Sequence, residues 1–315
     1  MPDFNAGRVN IVMRTKDRPG LLTRAIDDVL AQSYDDWTLT LVNDGGDSAR
    51  VDSVVSSRAD ILGDRVEVIH NAHSRGMEAA SNQAVRRGQA EFVAIHDDDD
   101  TWAPSFLAAT VAHLQSHPQS AVAVRTEIVW ERISNDHVEE ISREVFLPQL
   151  SSVTLFDLLR FNTCVPISLL IRRSALDAVG LFDESLPVTG DWECNLRLAA
   201  HGGIGFIDGV PLAYWHQRPA STGPLGNSVV DSAGLHRIMD RQVRDRALRG
   251  YVGEAGLGLP LYLTRFLDDR FDEVRDSLQS LSSRTNELER QLTHTIDFRV
   301  RALLLRLTGR WRPGR

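Results

Sequence analysis

Apolar and polar positions fall into blocks along the first hundred residues, and the blocks switch period between about two and nearly four. Val9-Asn10-Ile11-Val12-Met13 is a short apolar run of the strand kind, and Leu21 to Gln32 carries Leu22, Ile26, Val29 and Leu30 at helical spacing. Thr38 to Val42 predicts a second strand, Val51 to Leu62 a helix, and Val66-Glu67-Val68-Ile69 a third strand. An Ala-rich helix over Met77 to Arg87 then precedes a fourth strand, Glu91 to Ile95. Repeated strand–helix alternation predicts an α/β fold with a doubly wound, mostly parallel sheet. Such sheets bind ligands beyond the carboxyl ends of their strands, which is where this chain puts Thr15, Asp44 and the run Asp97-Asp98-Asp99-Asp100.

The pattern continues more loosely. Ser168 to Ile171 reads as a strand, Ser174 to Val179 as a short helix, Asp191 stands at the start of an apolar-periodic helix, and Ile204 to Ile207 reads as a further strand. Past residue 226 the chain turns helical, so the expected division is 1–226 as one α/β domain and 227–315 as a helical extension. Within the extension Phe271, Val274, Leu278, Leu281, Thr285, Leu288, Leu292 and Thr295 follow the three-and-four spacing of a coiled-coil seam. A homo-oligomer through 271–295 is the natural use of that seam; the alternative is a helix folded back on the α/β domain. From Arg299 to Arg315 there are six arginines and no acidic residue, interleaved with Val300, Leu303, Leu304, Leu305, Leu307 and Trp311. This basic amphipathic end suits anionic lipid head groups, and no nucleic-acid motif accompanies it.

Composition changes little in that picture. The chain has 315 residues, 42% hydrophobic, with a net charge of -8, an ordinary globular composition. No apolar run approaches the roughly 20 residues that span a bilayer, and the N-terminus lacks a basic segment leading into an apolar one. A cytoplasmic protein is expected, with peripheral contact to the inner face of the cell membrane through its tail. Cys164 and Cys194 have no metal-ligand spacing and build no disulfide framework.

Charge matters locally, at the acidic run. Four consecutive carboxylates after an apolar strand repel one another unless a cation offsets them. A hard divalent cation on carboxylate oxygens, itself clamping a phosphate, would do so; a solvated acidic loop is the alternative. The first strand–helix turn has no G-x-G-x-x-G, and no G-x-x-x-x-G-K-S/T occurs, which argues against dinucleotide-fold and P-loop chemistry. Asp97-x-Asp99-x-Thr101 also resembles the D-x-D-x-T motif of haloacid dehalogenase-like phosphatases, with Asp97 as nucleophile and Asp99 as acid/base. That motif follows the first strand of its domain, whereas here a four-strand half precedes it.

The ordered set of motifs is more specific than any one of them. Arg14-Thr15-Lys16-Asp17-Arg18-Pro19, Gln32-Ser33-Tyr34 with Trp37, Leu41-Val42-Asn43-Asp44-Gly45-Gly46-Asp47, Arg75-Gly76 with Ala80-Ser81-Asn82, and Asp97 to Trp102 come in sequence. Together they resemble the inverting family-two glycosyltransferases of GT-A fold over the first 102 residues. Gly180-Leu181-Phe182-Asp183-Glu184, followed by Thr189-Gly190-Asp191-Trp192-Glu193, extends the resemblance into the second half. The chain departs from the family pattern at Asp17, where Asn is usual, at Asn43-Asp44-Gly45-Gly46, where D-D-G-S is common, and at Gly190, where an acidic residue is frequent.

The resemblance implies a donor-binding half over 1–102 and an acceptor half over 103–226. It implies a nucleotide-diphosphate sugar, with a UDP-sugar favoured, as donor, and a hydroxyl of a glycan or lipid-linked glycan as acceptor in cell-surface polysaccharide synthesis. Thr15, Arg18, Asp44, Arg75 and Asp97 would bind the nucleotide. Asp99 and Asp97 would hold Mn2+ or Mg2+, with His216 completing the metal shell and Arg218 touching the diphosphate. Asp191 would be the single base that inversion requires, and Trp192 and Glu193 would bind acceptor. Each residue has a plainer reading beside this one: a turn residue for Asp44, a helix N-cap for Asp191, a structural histidine for His216. Asp98 is expected to face solvent, Asp100 to cap the next turn, and Trp102 to lie in the sugar pocket or the core. A non-catalytic sugar-binding or scaffold protein is the remaining alternative.

Overall fold

The computed structural model describes residues 4–134, 137–219 and 233–307. Its first half follows the expected alternation: β1 (Asn5–Thr15), α1 (Pro19–Leu30), β2 (Trp37–Asp44), α2 (Ser48–Ser56), α3 (Ala59–Leu62), β3 (Val66–Asn71), α4 (Met77–Arg87) and β4 (Ala90–Ile95). The helix expected over Val51 to Leu62 is two helices, and the first starts earlier because the Asp47 carboxylate accepts from the Ala49 N–H at 2.9 Å. The chain continues through β5 (Thr101–Trp102), α5 (Phe106–Ser116), β6 (Ala121–Val124), β7 (Thr126–Ser134) and β8 (His137–Val145). Then come α6 (Leu155–Arg160), β9 (Leu169–Arg172), α7 (Arg173–Val179), α8 (Gly190–Gly202), β10 (Ile204–Ile207) and β11 (Ala213–Gln217).

Seven strands form one sheet in the order β10-β6-β9-β4-β1-β2-β3. It is mostly parallel; β9 alone runs against its neighbours β4 and β6. The apolar strands read as near-continuous runs because both faces of this sheet are covered. Val9, Ile11 and Met13 enter one core cluster with Leu39, Leu41, Phe92 and Ala94, while Val12, Val42, Val93 and Ile95 enter the cluster on the opposite face. A second sheet, β5-β11-β7-β8, was not foreseen. Its long hairpin β7–β8 lies in a stretch that mixes apolar residues and charges without a regular period, a weaker signal than the buried runs.

The register of the large sheet sets up the site. Thr15 pairs with Asn43, Asp44 with Asn71, and Val12 with Ile95, so β1 to β4 end along one edge. The acidic run leaves that edge immediately, with the His96 N–H still bonded to the Val12 carbonyl at 2.9 Å.

The first compact unit runs to Val243, past the expected boundary at 226, and takes in the start of a helix over Ala233–Ala255 through the buried Val243. The second unit, from Arg244, is dominated by a 50-residue helix, Gly258–Leu307. No described helix is long and apolar enough to cross a membrane. Of the basic tail, residues 308–315 lie outside the described residues.

Candidate active site

The acidic run is not a solvated loop. Its carboxylates are matched one by one to arginines and backbone donors. Arg14 grips Asp97, with Nε at 2.8 Å from Oδ1 and Nη2 at 2.7 Å from Oδ2. Asp98, expected to face solvent, is fully buried between Arg18 and the Thr15 hydroxyl, which donates to it at 2.6 Å. Burial pushes its carboxyl up to about 7 in spite of Arg18. Asp99 pairs with Arg18 at 3.2 Å and with the fully buried Arg218, and its carbonyl accepts from Arg24 at 2.6 Å. Burial works against the Asp99 carboxylate, but Arg18 and Arg218 hold its pKa below the ordinary range. Asp100 accepts the His216 N–H at 2.8 Å from β11 and does not cap the next turn.

Behind this loop stands Glu131 of β7, which sequence reasoning missed. It pairs with Arg24 at 2.5 Å, with His216 Nδ1 at 2.6 Å and with Arg218 at 3.2 Å, and these partners hold its carboxyl near 2 although burial alone would raise it. His216, expected as a metal ligand, has Nδ1 on Glu131 and Nε2 2.8 Å from the Thr101 hydroxyl. Both ring nitrogens are thus engaged away from Asp97 and Asp99, and the ring serves to lock β11 against β5 and β7. Trp102 is core, stacked on Phe106 with its Nε1 donating to the Ile167 carbonyl.

Asp44 occupies the expected end of β2, but its oxygens are taken up by Asn71 Nδ2 at 2.9 Å, Ser74 Oγ at 2.7 Å, and the backbone N–H groups of Arg75 and Gly76 at 2.9 and 3.1 Å. Four donors fill the lone-pair sites of a carboxylate, so Asp44 organises the 71–76 loop. Arg75 contributes its backbone to that carboxylate while its side chain is exposed. The departures from the family pattern have physical reasons. Asp17 adopts φ 55, a left-handed conformation that a short Asp or Asn tolerates, and accepts the Asp47 N–H at 2.9 Å. The Asn43 side chain exchanges two hydrogen bonds with Gly46, and a Cβ at Gly46 would sit 2.8 Å from Asn43 Oδ1 and from Asp17 N, so a serine does not fit there.

A cavity of about 680 Å³ opens in the first unit, within the range of small-molecule sites. Arg14, Glu78, Asp97, Asp100, Asp191 and His236 face it, together with an apolar wall that includes Phe146, Phe161, Phe182, Trp192 and Trp215. Asp191 lies in the first turn of α8, whose N-cap is Thr189 at φ 67, so the N-cap reading of Asp191 does not hold. Asn162 Nδ2 donates to Asp191 Oδ2 at 2.7 Å, and Asn162 is itself held by the Cys164 N–H and by Asn195. Burial raises the Asp191 pKa, against the pull of the backbone at Trp192, Arg14, His236 and Asn162. That combination, an aimed carboxylate with raised basicity, suits proton abstraction.

Trp192 forms wall and core at once, 4% exposed with Nε1 on the Leu158 carbonyl. Glu193 is turned away into a fork with Arg197 at 2.6 to 3.0 Å, which ties α8 to the end of α7 through the Val179 carbonyl. The structure therefore brings Asp97, Asp191 and Trp192 to one cavity, and leaves Thr15, Arg18, Asp99, Asp44, Arg75, Glu193 and His216 off its lining. Among the described residues no group of three His, Cys, Asp or Glu side chains forms a metal cage.

The family model for glycosyl transferase family 2 matches residues 10–180, more than half of the chain. The chain belongs to that family. This family 2 glycosyltransferase is 36% identical over 108 residues to the putative colanic acid biosynthesis glycosyl transferase WcaA of Escherichia coli K12, a match covering 34% of this chain and 38% of that protein. The match thus spans about two fifths of that relative. Among solved structures, S. aureus TarS 1-349 in complex with UDP-GlcNAc superposes with a TM-score of 0.57 at 15% identity, covering 80% of this chain and 75% of TarS. The mannosyltransferase PcManGT from Pyrobaculum calidifontis, in complex with GDP-Man and Mn2+, gives 0.50 at 17% identity over 83% of this chain and 79% of its own. These likenesses are of fold. Family membership replaces the phosphatase reading, and the non-catalytic scaffold reading with it.

Proposed function

We propose that this enzyme transfers a sugar from a nucleotide-diphosphate sugar, UDP-linked, to a hydroxyl of a glycan or lipid-linked glycan, with inversion, in the synthesis of a cell-surface polysaccharide. One observation carries the reading: Asp191 of α8 and the acidic loop's Asp97 line the same cavity. Asp191, held by Asn162, takes the proton from the acceptor hydroxyl as that oxygen attacks the anomeric carbon. The diphosphate departs toward Arg14, Arg18 and the acidic loop. Inversion follows from having one base on the face opposite the leaving group. The UDP preference is supported by the TarS complex, and the polysaccharide role by the colanic acid assignment of WcaA. The aromatic wall and the exposed Arg237 and Arg241 at the cavity suit an acceptor with an apolar part and an anionic part.

A divalent cation fits the donor set. Asp97 and Asp99 offer hard oxygen ligands, and a cation held by one or two carboxylates and the substrate's own phosphates needs no protein cage. Bound there it would offset charge developing on the leaving diphosphate. PcManGT carries Mn2+ in the same fold. Arg14, Arg18 and Arg218 orient the two carboxylates and supply cationic charge on their own account.

Self-association through 271–295 is supported by one observation. Phe271, Val274, Leu278, Leu281, Leu288 and Leu292, the apolar positions of the heptad seam, are all between 55% and 65% exposed. Membrane contact through 299–315 rests on its sequence alone.

The test of function is transfer itself. The full chain is incubated with UDP-, GDP- and dTDP-sugars, Mn2+ and octyl glycosides, and the product linkage is read by NMR. Transfer from a UDP-sugar with inverted configuration is expected. A retained configuration removes the single-base mechanism, and failure to bind any nucleotide sugar removes the functional reading.

A further inference from the structure

Gly190 lets a second carboxyl approach Asp191 from another helix. Glu78, in the first turn of α4, is 5% exposed and lines the cavity. A Cβ built on Gly190 would lie 2.5 Å from Glu78 Cδ and Oε1 and 2.7 Å from Cγ, distances no real side chain tolerates. The Glu78 carboxyl therefore rests on the bare backbone of residue 190, one residue from the base. Position 190 lacks a carboxylate of its own, and the gap is occupied by one from α4.

A buried carboxyl is a poor choice for packing, since desolvation penalises its charged form. Its neighbours on α4, Ala79 and Ala80, show what the packing there accepts. The surroundings do not neutralise Glu78 cleanly either. Arg14 attracts it, but Arg14 is committed to Asp97, while Asp191, Asp97 and Asp183 repel it. Burial pushes the Glu78 carboxyl up to about 7, so near neutral pH it can donate as well as accept.

We propose that Glu78 is an acceptor-binding residue, hydrogen-bonding a hydroxyl of the acceptor sugar next to the one that Asp191 deprotonates, in the space Gly190 leaves open. The assignment rests on the transfer reading above. A site built to hydrogen-bond a substrate hydroxyl discriminates strongly against the analogue lacking it. Glu78 would thus set which acceptors are accepted, not how fast the donor bond breaks.

The experiment uses the full-length enzyme, its UDP-sugar donor, and octyl glucoside, galactoside and N-acetylglucosaminide with their monodeoxy counterparts. Glu78→Ala should raise the acceptor KM about tenfold or more and abolish the preference for one hydroxylated acceptor over its deoxy analogue, with the donor KM unchanged. Glu78→Gln, which keeps a donor and an acceptor, should retain most of that preference. Gly190→Ala, with Glu78 intact but displaced, should reproduce Glu78→Ala, and the double variant should be no worse than either alone because both remove one interaction. A wild-type enzyme that transfers sugar while Glu78→Ala leaves acceptor KM and deoxy preference untouched overturns this proposal and spares the functional reading. Donor KM, acceptor KM and melting temperature changing together in all three variants would make Glu78 structural and overturn it equally. A wild-type chain that binds no nucleotide sugar and transfers nothing overturns the functional reading, and this proposal with it.

Discussion

Asp191 and Glu78 reach one cavity from the first turns of two helices, and substitution separates their roles. Asp191→Asn keeps the shape and the Asn162 contact but cannot take a proton. Turnover should fall about 100- to 10,000-fold while UDP-sugar affinity, measured by calorimetry, stays at the wild-type level. Glu78 also carries a stability signature. Burial pushes its pKa from the ordinary 4.5 up to about 7 in the folded chain, so the folded state holds its proton more tightly. Stability is then full below about pH 4.5 and declines as pH rises toward 7, with the deficit complete above it. Between pH 6 and pH 8 the wild-type chain should lose about 1 kcal/mol from this group, and Glu78→Gln should lose that much less, as read by urea unfolding at both pH values. Equal losses in the two proteins would place the titration elsewhere.

The elements that were legible in the sequence are those buried on both faces or amphipathic over several turns. β1 to β4, α1 and α4 stand within a few residues of their apolar runs, and the motif residues Thr15, Asp97 and Asp191 stand where strand ends and a helix start put them. The hairpin β7–β8 was not legible, because charges interrupt the apolar residues on both of its faces and its partner strand β11 is distant in sequence. With it went Glu131, whose three partners come from α1, from β11 and from just beyond β11. Glu78 was hidden for a related reason: nothing in an Ala-rich helix announces that a residue 112 positions later is a glycine making room for it. Asp98 was misjudged because the counter-charges of the acidic run lie far away along the chain. Removing Glu131 leaves Arg218 and His216 buried with one partner fewer, so Glu131→Ala should cost about 3–5 kcal/mol, seen as a lowered urea midpoint. On the Gly258–Leu307 helix the exposed seam gives a different expectation. Leu281→Glu should turn an oligomer into a monomer by sedimentation equilibrium; a full-length chain already monomeric would dismiss the seam.

Across the whole molecule the net charge is -8, yet the sheet edge gathers Arg14, Arg18, Arg24 and Arg218 around the acidic run. The resting cleft is in effect an internal salt. On the proposed donor reading, a dication would draw Asp97 away from Arg14, which holds both of its oxygens, and a diphosphate would give that guanidinium a new anion. Cation and anion would then enter by exchange, as a pair. Coupling of this kind is reciprocal: UDP should raise the affinity for Mn2+ several-fold, and Mn2+ should raise the affinity for UDP by the same factor, which paired calorimetric titrations would read. Independent affinities would dissolve the exchange. On that reading, an ion offered alone has to displace a guanidinium–carboxylate pair with no counter-ion to take its place.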